Sequence, residues 1–141
     1  MKLLVKKLSP NGQKPTKKKG NAGYDLFAAE SVTIPPLSRR LIKTGITIEI
    51  PSLMYGHISD RSGMAWKKGA HCMGKIIDPS YRGEWGIVML NTDKDTDIVI
   101  EVGDKVAQVV FKEYKEFDEV EWAEDLSETE RGEKGWGPSG K

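Results

Sequence analysis

The sequence predicts an all-β domain of the sandwich or jelly-roll kind, and three observations carry that expectation. Apolar residues recur at period two in many places. No stretch of the length a globular helix needs carries them at i, i+3, i+4 and i+7. Glycine, proline and aspartate clusters punctuate the short apolar runs. At 141 residues the chain suits one domain with a hydrophobic core and is short for two.

The elements follow in order. Leu3 to Leu8 and Ser31 to Ile34 read as strands. Ile42, Thr44, Ile46, Ile48 and Ile50 share one face of a further strand, alternating with Lys43, Gly45, Thr47 and Glu49 and stopped by Pro51. Met54 to Ser59, Glu84 to Leu90, Asp97 to Val102 and Lys105 to Tyr114 complete the main set, and Ile76-Ile77 is a short apolar strand running into a turn. Pro35-Pro36, Gly69, Asp93 to Asp95 and Gly103-Asp104 supply turn chemistry between them. The end from Arg131 is glycine-rich and cannot bury itself locally, so the expected division is a β domain over 1–130 and an arm over 131–141.

Charge narrows the function classes. Lys and Arg number 22 against 21 Asp and Glu, for a net charge of +1, which argues against a protein built to neutralise a nucleic-acid backbone. The charge is unevenly spread: Lys14, Lys17, Lys18 and Lys19 crowd the beginning, and Glu113 to Glu133 is heavily acidic. Both read first as solvated segments, the basic run alternatively as a localisation signal or a phosphate contact. The lone Cys72 has no disulfide partner in the chain, and no apolar stretch has the form of a signal peptide or a membrane span. The expected setting is intracellular and soluble, with cytoplasm and nucleus not distinguished.

Three segments could carry chemistry. Gly132, Gly135, Gly137 and Gly140 expose backbone N–H groups suited to phosphate, Arg131 adds a planar fork, and Trp136 offers a face to a base, a combination that points to a nucleotide. Asp60-Arg61-Ser62-Gly63 follows a strand and reads on its own as a turn carrying a guanidinium and a hydroxyl. Ile77-Asp78-Pro79-Ser80-Tyr81 delivers a carboxylate and an aromatic to a turn, and Pro79 biases Asp78 to an extended backbone. Ser62 lacks the Gly-x-Ser-x-Gly elbow and a base of recognisable spacing, so covalent catalysis is not expected. His57, His71 and Cys72 have no zinc-site spacing.

Taken together and in order, five segments resemble the five motifs of the homotrimeric deoxyuridine triphosphatase (dUTPase) family. They are Ala22-Gly23-Tyr24-Asp25-Leu26, Arg61-Ser62-Gly63, Ile77 to Gly83, Gly103 to Gln108, and Arg131 to Gly140. The resemblance implies a distorted jelly-roll-like β-barrel subunit, a homotrimer whose active sites draw on more than one chain, and Mg2+-assisted hydrolysis of dUTP to dUMP and pyrophosphate. That activity limits uracil in DNA and supplies dUMP for thymidylate synthesis. It implies Asp78 as general base for a water attacking the α-phosphorus in line, and Tyr81 packed on the deoxyribose. Arg61, Ser62, Gly63, Gln108 and Arg131 would bind phosphates, with Ile77, Gly137 and Ser139 also touching substrate, and Trp136 would cover the uracil. Asp25 would hold Mg2+ through water. No membrane and no stable nucleic-acid partner are implied.

The chain departs from the family pattern at Lys75, Asp60, Ser80, Lys134 and Pro138. Pro138 removes one N–H donor from the arm, and Asp60 is expected to bring a carboxylate towards the phosphates. The alternatives are a catalytically weakened relative that binds or regulates, and a related dCTP or dUTP hydrolase.

Overall fold

The computed structural model describes residues 1–137, and among these it has eleven strands and one short helix. In chain order they are β1 (Leu4–Lys7), β2 (Tyr24–Phe27), β3 (Val32–Ile34), β4 (Arg39–Lys43), β5 (Ile46–Glu49), β6 (Met54–Ser59), α1 (Ser62–Lys68), β7 (Ala70–Met73), β8 (Ile76–Ile77), β9 (Gly86–Asn91), β10 (Ile98–Ile100) and β11 (Lys105–Glu113). The fold is all-β, as expected. The strands form four small sheets, ordered β1-β5, β10-β3, β2-β11-β6-β8 and β4-β9-β7, and these do not close into one continuous barrel.

Ile42, Thr44, Ile46, Ile48 and Ile50 are all buried as expected, but Gly45 and Thr47 are buried too, so the alternation is strict only at Lys43 and Glu49. The run is two strands rather than one. Gly45 adopts φ 67, a left-handed conformation that breaks the ladder between β4 and β5 and that a side chain would strain. The two halves then pair with different partners, β4 with β9 and β5 with β1. Trp85, fully buried, closes this corner: its carbonyl accepts from the Thr44 hydroxyl at 2.6 Å and its N–H donates to Ile46 O at 2.9 Å.

The sequence reading contains no helix, yet α1 forms over Ser62–Lys68. None of its residues is buried, so it has no apolar face to write a 3.6-residue period into the sequence. Gly69 ends it in the left-handed conformation, φ 64, donating its N–H back to Ala65 O and Met64 O. Strands β2 and β7 were also not anticipated, both being short and partly polar. Asp93 does form the expected turn, its carboxylate accepting from the N–H groups of Asp95 and Thr96 at 2.8 and 3.1 Å.

The β core ends at β11. Every residue from Lys115 to Lys134 is exposed, so the boundary expected at 130 falls inside an extended segment that begins earlier. Phe117, Val120, Trp122 and Leu126 lie on that segment, each more than four-fifths exposed. Among the described residues no helix is long and apolar enough to cross a membrane.

Candidate active site

The four-stranded sheet sets the geometry. In its order β2-β11-β6-β8, Gln108 on β11 stands directly opposite Asp25 on β2 and Ser59 on β6. Directly opposed residues present their side chains on one face, so Asp25 and Gln108 meet at the end of the sheet where Arg61 begins α1. A polar cavity of about 300 Å³ opens there, lined by Lys18, Asn21, Asp25, Arg61, Ser62, Gly63, Lys105 and Gln108.

Each wall has a local cause. Asp25 is held by two cations, with Arg61 Nε 3.4 Å from Oδ1 and Lys105 Nζ 2.8 Å from Oδ2. These groups are partly exposed, so the pairs contribute to positioning more than to stability. Arg61 also donates from a terminal guanidinium nitrogen to Lys105 O at 3.3 Å, and Gln108 Nε2 donates to Asp60 O at 2.8 Å. Gly23 is buried because a Cβ there would collide with the Gln108 carboxamide; the glycine of the first motif leaves room for the glutamine of the fourth.

Lys105 reaches the cavity through a bulge. Three residues separate it from Gln108, which in a regular strand would put the two on opposite faces. Between Lys105 and Ala107 the register with β2 shifts, and Val106 and Ala107 are both buried in succession, so Lys105 and Gln108 face the same cavity. Lys18 stands in the basic run whose alternative reading is a phosphate contact, Lys105 lies within the fourth motif without a role assigned to it, and nothing in the sequence singles out Asn21. A bulge leaves no period-two signature, and Lys18 is one of four similar lysines.

Asp60 does not bring its carboxylate towards the phosphates, and this corrects the expectation. Its Oδ2 lies 2.7 Å from His71 Nδ1, and its Oδ1 accepts from Cys72 N–H at 2.5 Å. Burial works to raise the Asp60 carboxyl, but the hydrogen bonds from Cys72 N–H and His71 outweigh it and hold it below its ordinary value. The neighbouring Cys72 thiol is pushed up to about 12, by burial first and then by Asp60, and is unreactive.

Asp78 and Tyr81 lie elsewhere. Ile77 pairs with Gly56 at the far edge of the sheet, and Asp78 follows it. Asp25 and Asp78 are therefore three inter-strand steps apart, roughly 14 Å. Asp78 is also displaced along β6 by the four residues from Ser59 to Tyr55, roughly 13 Å more. Ile77 and Phe111 both stand opposite Gly56, which places Asp78 towards the end of β11 remote from Gln108. A second cavity of about 240 Å³ lies beside this edge, lined by Leu41, Lys43, Ile77, Tyr81, Glu84, Trp85 and Gly86. Tyr81 O–H donates to Glu84 O at 3.0 Å, and Gly83 leaves room for this placement, since a Cβ there would push the Tyr81 ring aside. Lys75 spends its carbonyl on Ile58 N–H at 2.8 Å, fixing the hairpin that carries Ile77.

Arg131, Trp136 and Gly137 line neither cavity. Arg131 Nε donates to Lys134 O at 2.8 Å within the arm, and Trp136 is fully exposed. Ser139 and Pro138 lie outside the described residues. One chain thus holds three separate parts: a cationic polar cavity, an apolar cavity beside a carboxylate, and an exposed aromatic arm.

Among the described residues no group of three or more His, Cys, Asp or Glu is arranged to hold a metal. One carboxylate, Asp25, faces a cationic cavity. That donor set fits Mg2+ brought in on phosphate oxygens and keeping its own waters, and it does not fit a metal caged by protein.

The family model described as dUTPase matches residues 13–140. The deoxyuridine 5'-triphosphate nucleotidohydrolase of Swinepox virus is 45% identical over 145 aligned positions, covering 99% of each chain. The Staphylococcus bacteriophage 80alpha dUTPase, solved with dUPNHPP, superposes with a TM-score of 0.92 at 32% identity over 99% of each chain. A D95N dUTPase from phage phi11 of S. aureus, described as coordinating a structural Mg(II) ion, superposes with a TM-score of 0.83 at 27% identity over 91% of this chain and all of that one.

Proposed function

We propose that this chain, which belongs to the dUTPase family, works as a Mg2+-assisted homotrimer in which each active site takes its phosphate cavity, its Asp78 hairpin and its arm from different chains. The reaction is hydrolysis of dUTP to dUMP and pyrophosphate, the activity carried in the names of its relatives. Removing dUTP in this way limits uracil in DNA and supplies dUMP.

The observation that carries the shared site is the separation of Asp78 from the Arg61 and Gln108 cavity. The α-phosphorus that Asp78 must reach is bonded through one oxygen to the β-phosphoryl group that the cavity holds. A carboxylate across a whole sheet and several residues along it is too far away to serve both within one chain. The C-terminal segment, with Trp122 fully exposed before the arm and Trp136 fully exposed within it, is available to reach a neighbour.

In the assembled site, Arg61, Ser62, the backbone at Gly63, and Gln108 bind the phosphate oxygens, with Arg131 added by an arm. Asp25 would hold Mg2+ through water, and the bound ion would supply charge offset to the phosphate oxygens. Asp78 accepts a proton from a water as its oxygen attacks the α-phosphorus. The bond from that phosphorus to the bridging oxygen breaks, and pyrophosphate leaves with the electron pair. Tyr81, anchored to Glu84 O, packs on the deoxyribose and Ile77 on the base side, while Trp136, Gly137 and Ser139 cover the uracil and phosphates. The test is pyrophosphate release from dUTP, dTTP, dCTP and UTP side by side with Mg2+. The expected result is dUMP and pyrophosphate from dUTP far ahead of the others; orthophosphate, or no preference for dUTP, would contradict the reading.

A further inference from the structure

The N-terminal lysine run contributes to the phosphate cavity in a definite way. Thr16 and Asp25 exchange two backbone hydrogen bonds, Thr16 N–H to Asp25 O at 3.3 Å and Asp25 N–H to Thr16 O at 2.6 Å. The chain between them is thereby closed into a loop standing on the very residue at the centre of the cavity. Lys17 is spent on that loop: its Nζ donates to Asn21 O at 3.1 Å and lies 4.8 Å above the Tyr24 ring. Asn21 N–H donates to Lys18 O at 3.1 Å, which tightens the turn. Lys17 is directed to the Tyr24 ring, while its neighbour Lys18 lines the cavity. Among the described residues Lys18 belongs to no ion pair.

Taking the cavity to be the phosphate site, we propose that Lys18 is a specificity-determining residue that contacts the terminal phosphoryl group and selects triphosphate over diphosphate. Charge supports the assignment. The cavity's ionic side chains are Lys18, Arg61 and Lys105 against Asp25, a balance of three positive and one negative. A nucleoside triphosphate carries about four negative charges at neutral pH, so its Mg2+ complex carries about two, which this balance matches. The corresponding diphosphate complex carries about one, which is what the cavity without Lys18 would match. Within the cavity Arg61, Ser62, Gly63 and Gln108 stand on β11 and at the start of α1, whereas Lys18 comes from the separate loop closed by Thr16 and Asp25.

The test is equilibrium binding of the Mg2+ complexes of α,β-imido dUTP and α,β-imido dUDP to full-length wild type, Lys18→Gln, Lys18→Arg and Lys14→Ala. Lys18→Gln is expected to weaken the triphosphate analogue about tenfold, the scale of one charge-assisted hydrogen bond, and the diphosphate analogue less than about twofold. Lys18→Arg should restore most of the loss, and Lys14→Ala should match wild type. In turnover the loss should fall on KM rather than kcat. An equal loss for both analogues, or no loss for either, would overturn the role of Lys18 while leaving the phosphate cavity in place. A wild-type protein that binds neither analogue would instead remove the reading of the cavity, and the role of Lys18 with it.

Discussion

The Asp60 carboxylate and the His71 imidazole meet at 2.7 Å, on the side of the β6–α1 corner facing β7. With the second oxygen on Cys72 N–H and the Asp60 carbonyl on Gln108, one residue ties β7, the start of α1 and a cavity-lining side chain together. The residue that departs from the family pattern is therefore a brace beside the site.

Because these bonds hold the Asp60 carboxyl below 3.8, their contribution is present above that value and is lost as pH falls through the lower folded value. Asp60→Asn is expected to cost about 1 kcal/mol at neutral pH, a figure kept small because the group is partly exposed. The variant should also lose less of its stability than wild type on acidification from neutrality to below pH 4. Thermal melts across that range, at one protein concentration, check both statements; parallel melting curves would contradict them.

Asp78→Asn is expected to keep the fold and bind α,β-imido dUTP as wild type does, while kcat falls at least about a hundredfold, because an amide accepts no proton from the attacking water. Single-turnover kinetics with dUTP reads this directly. Retention of most of the rate would assign the base elsewhere.

Tyr81→Ala is expected to lower the ratio of kcat/KM for dUTP over UTP about tenfold or more, since in the proposed site the ring, anchored to Glu84 O, packs on the deoxyribose where a 2′-hydroxyl would have to fit. Tyr81→Phe keeps the ring and should keep most of the ratio. An unchanged ratio in the alanine variant would show that the sugar is gated by another group.

Asn91 is wholly buried, donates to Ile34 O and Thr96 O at 3.0 and 2.8 Å, and accepts from Asp93 N–H at 3.0 Å. Asn91→Leu fills the same space and strands three backbone groups, so a loss of about 2–4 kcal/mol is expected. Denaturant midpoints at fixed concentration measure it, and a loss below the error of the method would mean the turn at Asp93 re-forms by itself.

Much of this was legible in the sequence because strands and turns write local signals. The isoleucine alternation from Ile42 to Ile50 gave the buried face correctly, and Asp93 gave its turn. What stayed hidden depends on contacts distant in sequence. Gly45 splitting β4 from β5, the bulge that turns Lys105 into the cavity, and α1 with no buried face all leave the period unchanged or absent. The site residues Asp25, Arg61, Ser62, Gly63 and Gln108 come together in one cavity, and Gly23 and Gly83 acquire a steric reason that spacing alone does not supply. Asp60 was misplaced because a carboxylate next to Arg61 in sequence need not face the same way; its partners lie eleven and twelve residues on, in β7.

The most direct measurement of the shared site uses two inactive proteins. One is a full-length Asp78→Asn chain; the other ends after Glu130 and keeps Asp78. Refolded together in equal amounts, they form mixed trimers in which a working site takes Asp78 from a truncated chain and the arm from a full-length one. Random mixing meets both conditions in about a quarter of sites, so about a quarter of wild-type activity should return. Confirmed mixed trimers with no recovered activity would show that Asp78 and the arm must come from one chain, and the shared-site account would fall.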